Sequence, residues 1–343
     1  MKNTLTLLSA LLGALWAPAA SAQDHQVNLD IRVQFRNTLT AVEDGPVENQ
    51  FQIRRARINV EGYAFDPHNE FSIQLGLSPR DLGLRDGAVT YTPLLDYYLN
   101  LTHLSDFSVM IGQYKVPFSR ERIMSSGDLA LVDRSLSAST LDIERDVGIT
   151  FHSQDLLGEN CLRYYLGVYS GLGRDGFLSQ DVTEMSPLII TRMEFHPTGL
   201  FNNNDQLDFD RHRPGRVAFG FGYALTGQTH RGTLDAVFQM QGVSVEAAAI
   251  ARTDLSTNDS ELGYYLQIGA VVPGVDFAGG ALRFGQVLPV EGAGIAERYE
   301  LGGALSYYFE RHKMKLQADL VHYWLGDFTV GEQQFRVQLQ VGM

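Results

Sequence analysis

Six basic residues in this 343-residue chain have types and spacing that suit anion recognition. Arg55 and Arg57 lie two apart in one segment, and Lys115, Arg120, Arg122 and Arg134 follow in a second. A guanidinium presents planar, paired N–H donors that match the edge of a phosphate or carboxylate, and it stays charged at physiological pH. Gathered at the narrowest point of a channel, such groups favour anions over cations. The second segment also carries Glu121, Asp128, Asp133, Asp142 and Glu144. Two readings of the basic residues therefore stand. Either they form an anion-attracting constriction, or they pair with these acids and stiffen the loop that holds them.

Enzyme chemistry finds no footing. Gly167 to Gly171 (GVYSG) places Tyr169, not Ser, at the centre of a would-be nucleophile elbow. The nine His show no H-x-x-x-H or H-E-x-x-H spacing. His152 and Ser153 are neighbours, so on a strand they point to opposite faces. The reading is a non-enzyme without cofactor or metal. A net charge of −13 argues against a nucleic-acid partner. Cys161 is the only cysteine, so no intrachain disulfide is available.

The elements that must position these residues are strands. From Phe335 the chain alternates: Phe335, Val337, Leu339, Val341 and Met343 fall on one face, and Arg336, Gln338 and Gln340 on the other. Sixteen such segments are expected, near 25–40, 49–66, 69–79, 88–104, 107–118, 145–157, 161–173, 187–199, 216–226, 231–241, 243–255, 260–272, 276–288, 297–310, 312–325 and 332–343. Short connections such as Gln241-Gly242 and Arg311-His312 alternate with longer polar ones such as 119–144 and 174–186, and 200–215 is a long link on the short-turn side. Tyr97, Tyr98, Tyr164, Tyr165, Tyr264, Tyr265, Tyr307, Tyr308, Tyr323 and Trp324 cluster near strand ends, as in the aromatic girdles of membrane barrels. No apolar run is long enough for a membrane-spanning helix. Lys2, the apolar run Leu5 to Trp16 and Ala20-Ser21-Ala22 read as a signal peptide over 1–22, which leaves 23–343 as one barrel domain. The expected fold is all-β, a 16-stranded antiparallel transmembrane β-barrel. Alternation assigns Arg55, Arg57, Lys115, Arg163, Arg192, Arg252, Arg283, Lys315 and Arg336 to the lumen, with Glu61, Asp96, Glu194, Asp235, Glu246 and Asp319.

Three stretches carry a family resemblance: Phe51 to Gly62 (FQIRRARINVEG), Gly112 to Arg122 (GQYKVPFSRER) with Ser125 to Leu129 (SSGDL) and Val132 to Ser135 (VDRS), and Arg145 to Gly148 (RDVG). Together they resemble the phosphate-selective porin O and P family of Gram-negative outer membranes, most densely over 50–150. The resemblance implies a sixteen-stranded barrel, usually a homotrimer, with the third extracellular loop, here 119–144, folded into the pore as a constriction. It implies passive diffusion of small hydrophilic solutes, with anion or phosphate preference in the named members. Arg55, Arg57, Lys115 and the loop residues Arg120, Arg122 and Arg134 match motif positions, whereas the family's arginine ladder and lysine ring are not matched residue by residue. The partners implied are outer-membrane lipid, small anions or other small solutes, and the barrel-assembly machinery. Barrels of this kind usually end in an aromatic residue that this machinery reads, and Met343 stands there instead. The alternative is a loop-plugged barrel with a structural or adhesive role.

Overall fold

The computed structural model describes residues 25–43, 45–176, 186–275, 277–292, 294–326 and 331–343. The expected signal peptide, with its cleavage after Ala22, and most of the 174–186 loop lie outside the described residues. Sixteen strands form one closed antiparallel barrel in which each strand pairs with its chain neighbours and β1 pairs with β16. They are β1 (Gln26–Val42), β2 (Val47–Tyr63), β3 (Asn69–Gly76), β4 (Leu94–Leu104), β5 (Phe107–Lys115), β6 (Arg145–His152), β7 (Leu162–Tyr169), β8 (Leu188–Phe195), β9 (Arg216–Thr226), β10 (Thr229–Met240), β11 (Val243–Asp254), β12 (Asp259–Val271), β13 (Ala278–Glu291), β14 (Arg298–Glu310), β15 (Met314–Leu325) and β16 (Gly331–Gly342). Two short helices, α1 (Arg120–Ile123) and α2 (Leu136–Leu141), lie between β5 and β6.

Closure follows from the last strand's alternation. β16 runs against β1 from Arg32↔Gly342 to Val42↔Glu332, and Ile31 and Met343 exchange backbone hydrogen bonds of 2.9 and 3.0 Å beyond that ladder. Pairing the two terminal strands removes the exposed edges that an open sheet would present. The faces are the inverse of a soluble core. On β15, Leu316 and Leu320 are exposed outward while Gln317 and Asp319 are buried inward. A hydrocarbon surround stabilises this inversion, because it makes outward apolar side chains favourable and inward polar ones necessary.

Two local departures from regular pairing matter for the lumen. The β1–β2 register shifts between Gln34↔Arg55 and Phe35↔Ile53, which leaves Arg54 as the extra residue of a β-bulge. The bulge lets two consecutive residues, Arg54 and Arg55, both turn inward, at 3% and 5% exposure. Strict alternation would have pointed Arg54 outward, where a charge is costly. The second departure is at β4, which begins at Leu94 rather than near 88. Residues 77–93 instead fold on themselves through bonds such as Leu82 N–H to the Ser78 carbonyl (3.0 Å) and Thr90 N–H to the Leu82 carbonyl (3.1 Å).

The 116–144 segment is packed, not loose. Ser119 caps α1 by accepting from Arg122 N–H (3.2 Å), and Ser135 caps α2 by accepting from Ala138 N–H (3.2 Å). Val116, Phe118, Met124, Leu129, Leu131 and Val132 are all buried. Inward positions on three strands are glycine where this segment approaches. A Cβ would come within 2.5 Å of the Phe118 oxygen at Gly222, 2.8 Å of Ser137 Cβ at Gly263 and 2.9 Å of Leu131 Cδ2 at Gly302. Polar wall groups complete the attachment: Val132 N–H donates to Asp319 (3.0 Å) and Leu136 N–H to Glu300 (2.7 Å).

Candidate functional site: the arginines of the lumen

The first arginine group closes on one carboxylate. Asp133 receives Arg36 Nη1 at 2.6 Å and Arg54 Nη2 at 3.0 Å, with Arg336 Nη1 at 3.6 Å and Arg55 Nη2 at 3.8 Å. Strands β1, β2 and β16 are neighbours, so the bulge at Arg54 and the inward positions 36, 55 and 336 converge on one spot. Burial pushes the Asp133 carboxyl up, but the surrounding guanidiniums of Arg36, Arg54, Arg336 and Arg55 together hold it well below the usual range. The arginines have other acceptors too. Arg336 makes a paired contact with Asp319 (both 2.7 Å), Arg36 reaches Gln338 (2.9 Å) and Arg55 reaches Gln34 (2.8 Å).

A second group is sealed deeper. Arg120, 2% exposed, pairs with Glu246 (2.9 Å) and donates to the carbonyls of Asn203 (2.7 Å) and Asp205 (3.1 Å), while its own N–H reaches Asp235 (3.2 Å). Arg192 bridges Asp235 (2.7 Å) and Glu194 (3.0 Å) and donates to the Phe118 carbonyl (3.0 Å). Ala130 N–H donates to Gln206 (2.8 Å). The 116–144 segment connects strands at one end of the barrel and 196–215 connects strands at the other, so these bonds join two connections from opposite ends.

A third group lines open space. A cavity of about 570 Å³ is bounded by Arg55, Arg57, Arg80, Arg122, Arg134, Arg145, Arg174 and Arg231, against Asp81, Asp142, Glu144 and Asp146. Basic groups thus outnumber acidic ones around this volume. Arg57 pairs with Asp81 (2.7 Å), Arg145 with Asp96 (2.8 Å) and Arg122 with Glu144 (2.9 Å), while Arg134 donates to the Glu121 and Met124 carbonyls (3.0 and 2.7 Å). Asp142 lies 3.9 Å from Arg122 and takes the Ser119 hydroxyl, and burial raises its carboxyl above the ordinary range against the pull of Arg122. Next to this space lies a cavity of about 400 Å³ lined by Glu61, Asp96, Tyr98, Lys115, Tyr114 and His152 among others. The two meet at the Arg145–Asp96 pair, because Arg145 lines one and Asp96 the other. Lys115 stands at this junction and donates to the Ile123 and Met124 carbonyls (3.0 and 2.8 Å), the C-terminal end of α1.

The six residues expected from sequence are therefore spread over three environments. Arg57, Arg122 and Arg134 line the larger cavity and Lys115 the smaller one. Arg55 reaches the larger cavity but turns to the Asp133 cluster, and Arg120 is enclosed by Glu246 and the 200–215 segment. The structure adds Arg36, Arg54, Arg80, Arg174 and Arg231, which the sequence motifs do not single out. Alternation from Gln34 to Thr38 signals an inward Arg36, and an Arg-Arg dipeptide inside a strand signals a bulge. Arg80 and Arg174 sit in irregular loops where no period exists to read.

The N-terminal part of the chain is similar to a known family. Residues 26–171 match the family described as phosphate-selective porin O and P. That stretch holds β1 to β7 with the 116–144 segment, and it contributes most of the arginines above. An uncharacterized protein of Aquifex aeolicus is 22% identical over 294 residues, 72% of this chain and 68% of that relative. The anion-selective porin from Comamonas acidovorans superposes with a TM-score of 0.63 at 11% identity, covering 93% of this chain and all of that one (100%). Salmonella typhi OmpF, solved in complex with daunomycin, gives 0.62 at 13% identity over 92% of this chain and 98% of its own. The outer membrane channel DcaP of Acinetobacter baumannii gives 0.59 at 10% identity over 93% and 97%. The described residues share the fold of these barrels over more than nine-tenths of the chain.

Proposed function

We propose that this protein is an outer-membrane porin that lets small hydrophilic solutes diffuse passively and prefers anions. The observation that carries the anion preference is the cavity of about 570 Å³ in which arginines outnumber carboxylates. A surplus of fixed positive charge along a water-filled path raises the local anion concentration and rejects cations. On this reading 116–144 is the third extracellular loop folded into the lumen. Its bonds to Glu300 and Asp319 and its approach to Gly222, Gly263 and Gly302 support that placement. The constriction then lies where Arg57, Lys115, Arg122 and Arg134 face the remaining space. Arg55 and Arg120 hold the loop to the wall. A signal peptide over 1–22, assembly by the barrel-assembly machinery and a homotrimeric state complete the proposal. OmpT of Vibrio cholerae, a neighbour by fold, has a solved trimer form.

The amount of lumen taken up by 116–144 and 196–215 favours one competing reading, a plugged barrel with a structural or adhesive role. Swelling of liposomes in small sugars separates the two. Purified protein should admit arabinose-sized solutes at a rate proportional to protein added. Liposomes that behave like protein-free ones would establish the plugged barrel instead.

A further inference from the structure

The end of the barrel where β1 begins and β16 finishes holds a group of side chains unrelated to the lumen. Asp66, His68 and His103 each place one candidate ligand atom within 4.8 Å of the others. His68 and His103 are 35 positions apart in sequence, and strand pairing brings them together. We propose that these three residues form a binding site for a divalent first-row transition-metal ion.

The backbone fixes the arrangement before any ion arrives. Asp66, Pro67, His68 and Asn69 form a turn closed by Asn69 N–H donating to the Asp66 carbonyl (2.9 Å). Pro67 locks one backbone angle of that turn. The His68 carbonyl accepts from Thr102 N–H (2.8 Å), which pins the turn to the end of β4, and His103 is the next residue. The two imidazoles stack at 5.4 Å between centroids.

The outer contacts are of the kind that orient metal-binding histidines. One ring nitrogen of His68 meets Asp66 Oδ1 (2.7 Å), and one of His103 meets Asn69 Oδ1 (2.8 Å). The tautomer in which the bonded nitrogen carries the proton leaves the other ring nitrogen with a lone pair for an ion. Asp66 serves either as third ligand or as the carboxylate partner of His68. Donors around a single Zn²⁺ at ordinary bond lengths lie about 3.4 Å apart. From 4.8 Å the donors need to close by about 1.4 Å to reach that spacing. Two imidazoles with one carboxylate select Zn²⁺-type ions over Mg²⁺ or Ca²⁺, which take oxygen ligands.

The test is titration of chelator-treated, detergent-solubilised full-length protein with Zn²⁺, read by calorimetry, with Co²⁺ absorption as a second signal. One equivalent of Zn²⁺ per chain is expected, and roughly tenfold or greater weakening in His103→Ala and in His68→Ala. Asn69→Ala should weaken binding less, because it orients His103 without being required as a ligand. The heat-modifiable gel shift of each variant confirms that the barrel is intact. Binding of unchanged affinity and stoichiometry in folded His103→Ala would overturn the proposal, as would the absence of any saturable heat with the parent protein. The Co²⁺ spectrum reads coordination directly, independent of affinity. Loss of its ligand-field band in His103→Ala supports coordination by that ring, and an unaltered band refutes it.

Discussion

Arg120 and Arg122, two positions apart on one short helix, meet opposite fates. Arg120 is enclosed by Glu246, the Asn203 and Asp205 carbonyls and Asp235, whereas Arg122, 11% exposed at its side chain, faces open space with Glu144, itself 75% exposed. Both sit on α1, and the helix turn sends one towards β10 and β11 and the other towards the cavity. The same division holds across the lumen. Arg36, Arg54, Arg336, Arg192 and Arg120 are absorbed by acids or carbonyls, Arg57, Arg80, Arg122, Arg134, Arg145, Arg174 and Arg231 border the larger cavity, and Arg55 touches both sets. A count of basic residues in the sequence cannot separate the two classes. Acids from other elements meet members of both sets, and what separates the sets is whether the paired guanidinium still borders open space. On the proposed function, the absorbed set holds the 116–144 segment in position, and the bordering set gives the remaining path its charge.

The largest expected effect comes from breaking the absorbed set. Arg120→Ala leaves Glu246, which is 1% exposed, without its cationic partner and with only the Gln206 amide (3.2 Å) as a donor. An uncompensated buried charge of this kind costs about 3–5 kcal/mol. The denaturant midpoint of Arg120→Ala should fall accordingly. A midpoint equal to the parent's would show that water already reaches Glu246.

Next in size is Asp133→Asn. It removes one negative charge from the meeting point of Arg36, Arg54, Arg55 and Arg336 and returns part of their charge to the lumen. A unit charge several ångströms from a permeating ion in a hydrated path is worth on the order of 1 kcal/mol. The anion-to-cation permeability ratio should therefore rise several-fold. An unchanged ratio would place Asp133 outside the electrostatic reach of the conducting path. The clamp itself should survive mild acid. Its carboxyl titrates well below the usual range, so the stability it contributes is present above the ordinary aspartate value and is lost only as pH falls through the depressed one.

A smaller effect belongs to Asp142. Its carboxyl titrates above the ordinary range, so lowering the pH from 7 towards about 4 neutralises it before typical aspartates. Anion preference should rise modestly over that interval, and Asp142→Asn should flatten the change. Retention of the full pH dependence in Asp142→Asn would show that Asp142 is not its source.

Much of the barrel was legible from period alone. The sixteen expected segments correspond one to one with the sixteen strands, because inward polar and outward apolar residues alternate so regularly that the register is visible without tertiary information. The strand ends that differ, such as 88 against Leu94, fall where irregular backbone continues an apparently alternating run. The site was less legible, for two physical reasons. A bulge reverses the parity of every residue before it, so Arg54 could not be placed by counting from Arg57. Ion pairing between distant elements leaves no local trace either. Nothing near Arg120 indicates Glu246, and nothing near Asp133 indicates Arg336, since those partners lie 126 and 203 positions away.

If the protein is an open pore, its selectivity is set by the bordering arginines and not by the absorbed ones. Zero-current potentials in planar bilayers across a KCl gradient test this directly. The parent should be anion-selective, Arg57→Ala/Arg122→Ala should lose most of that selectivity, and Arg120→Ala channels that insert should keep it. Equal loss in both variants, or a cation-selective parent, would contradict the division between the two sets.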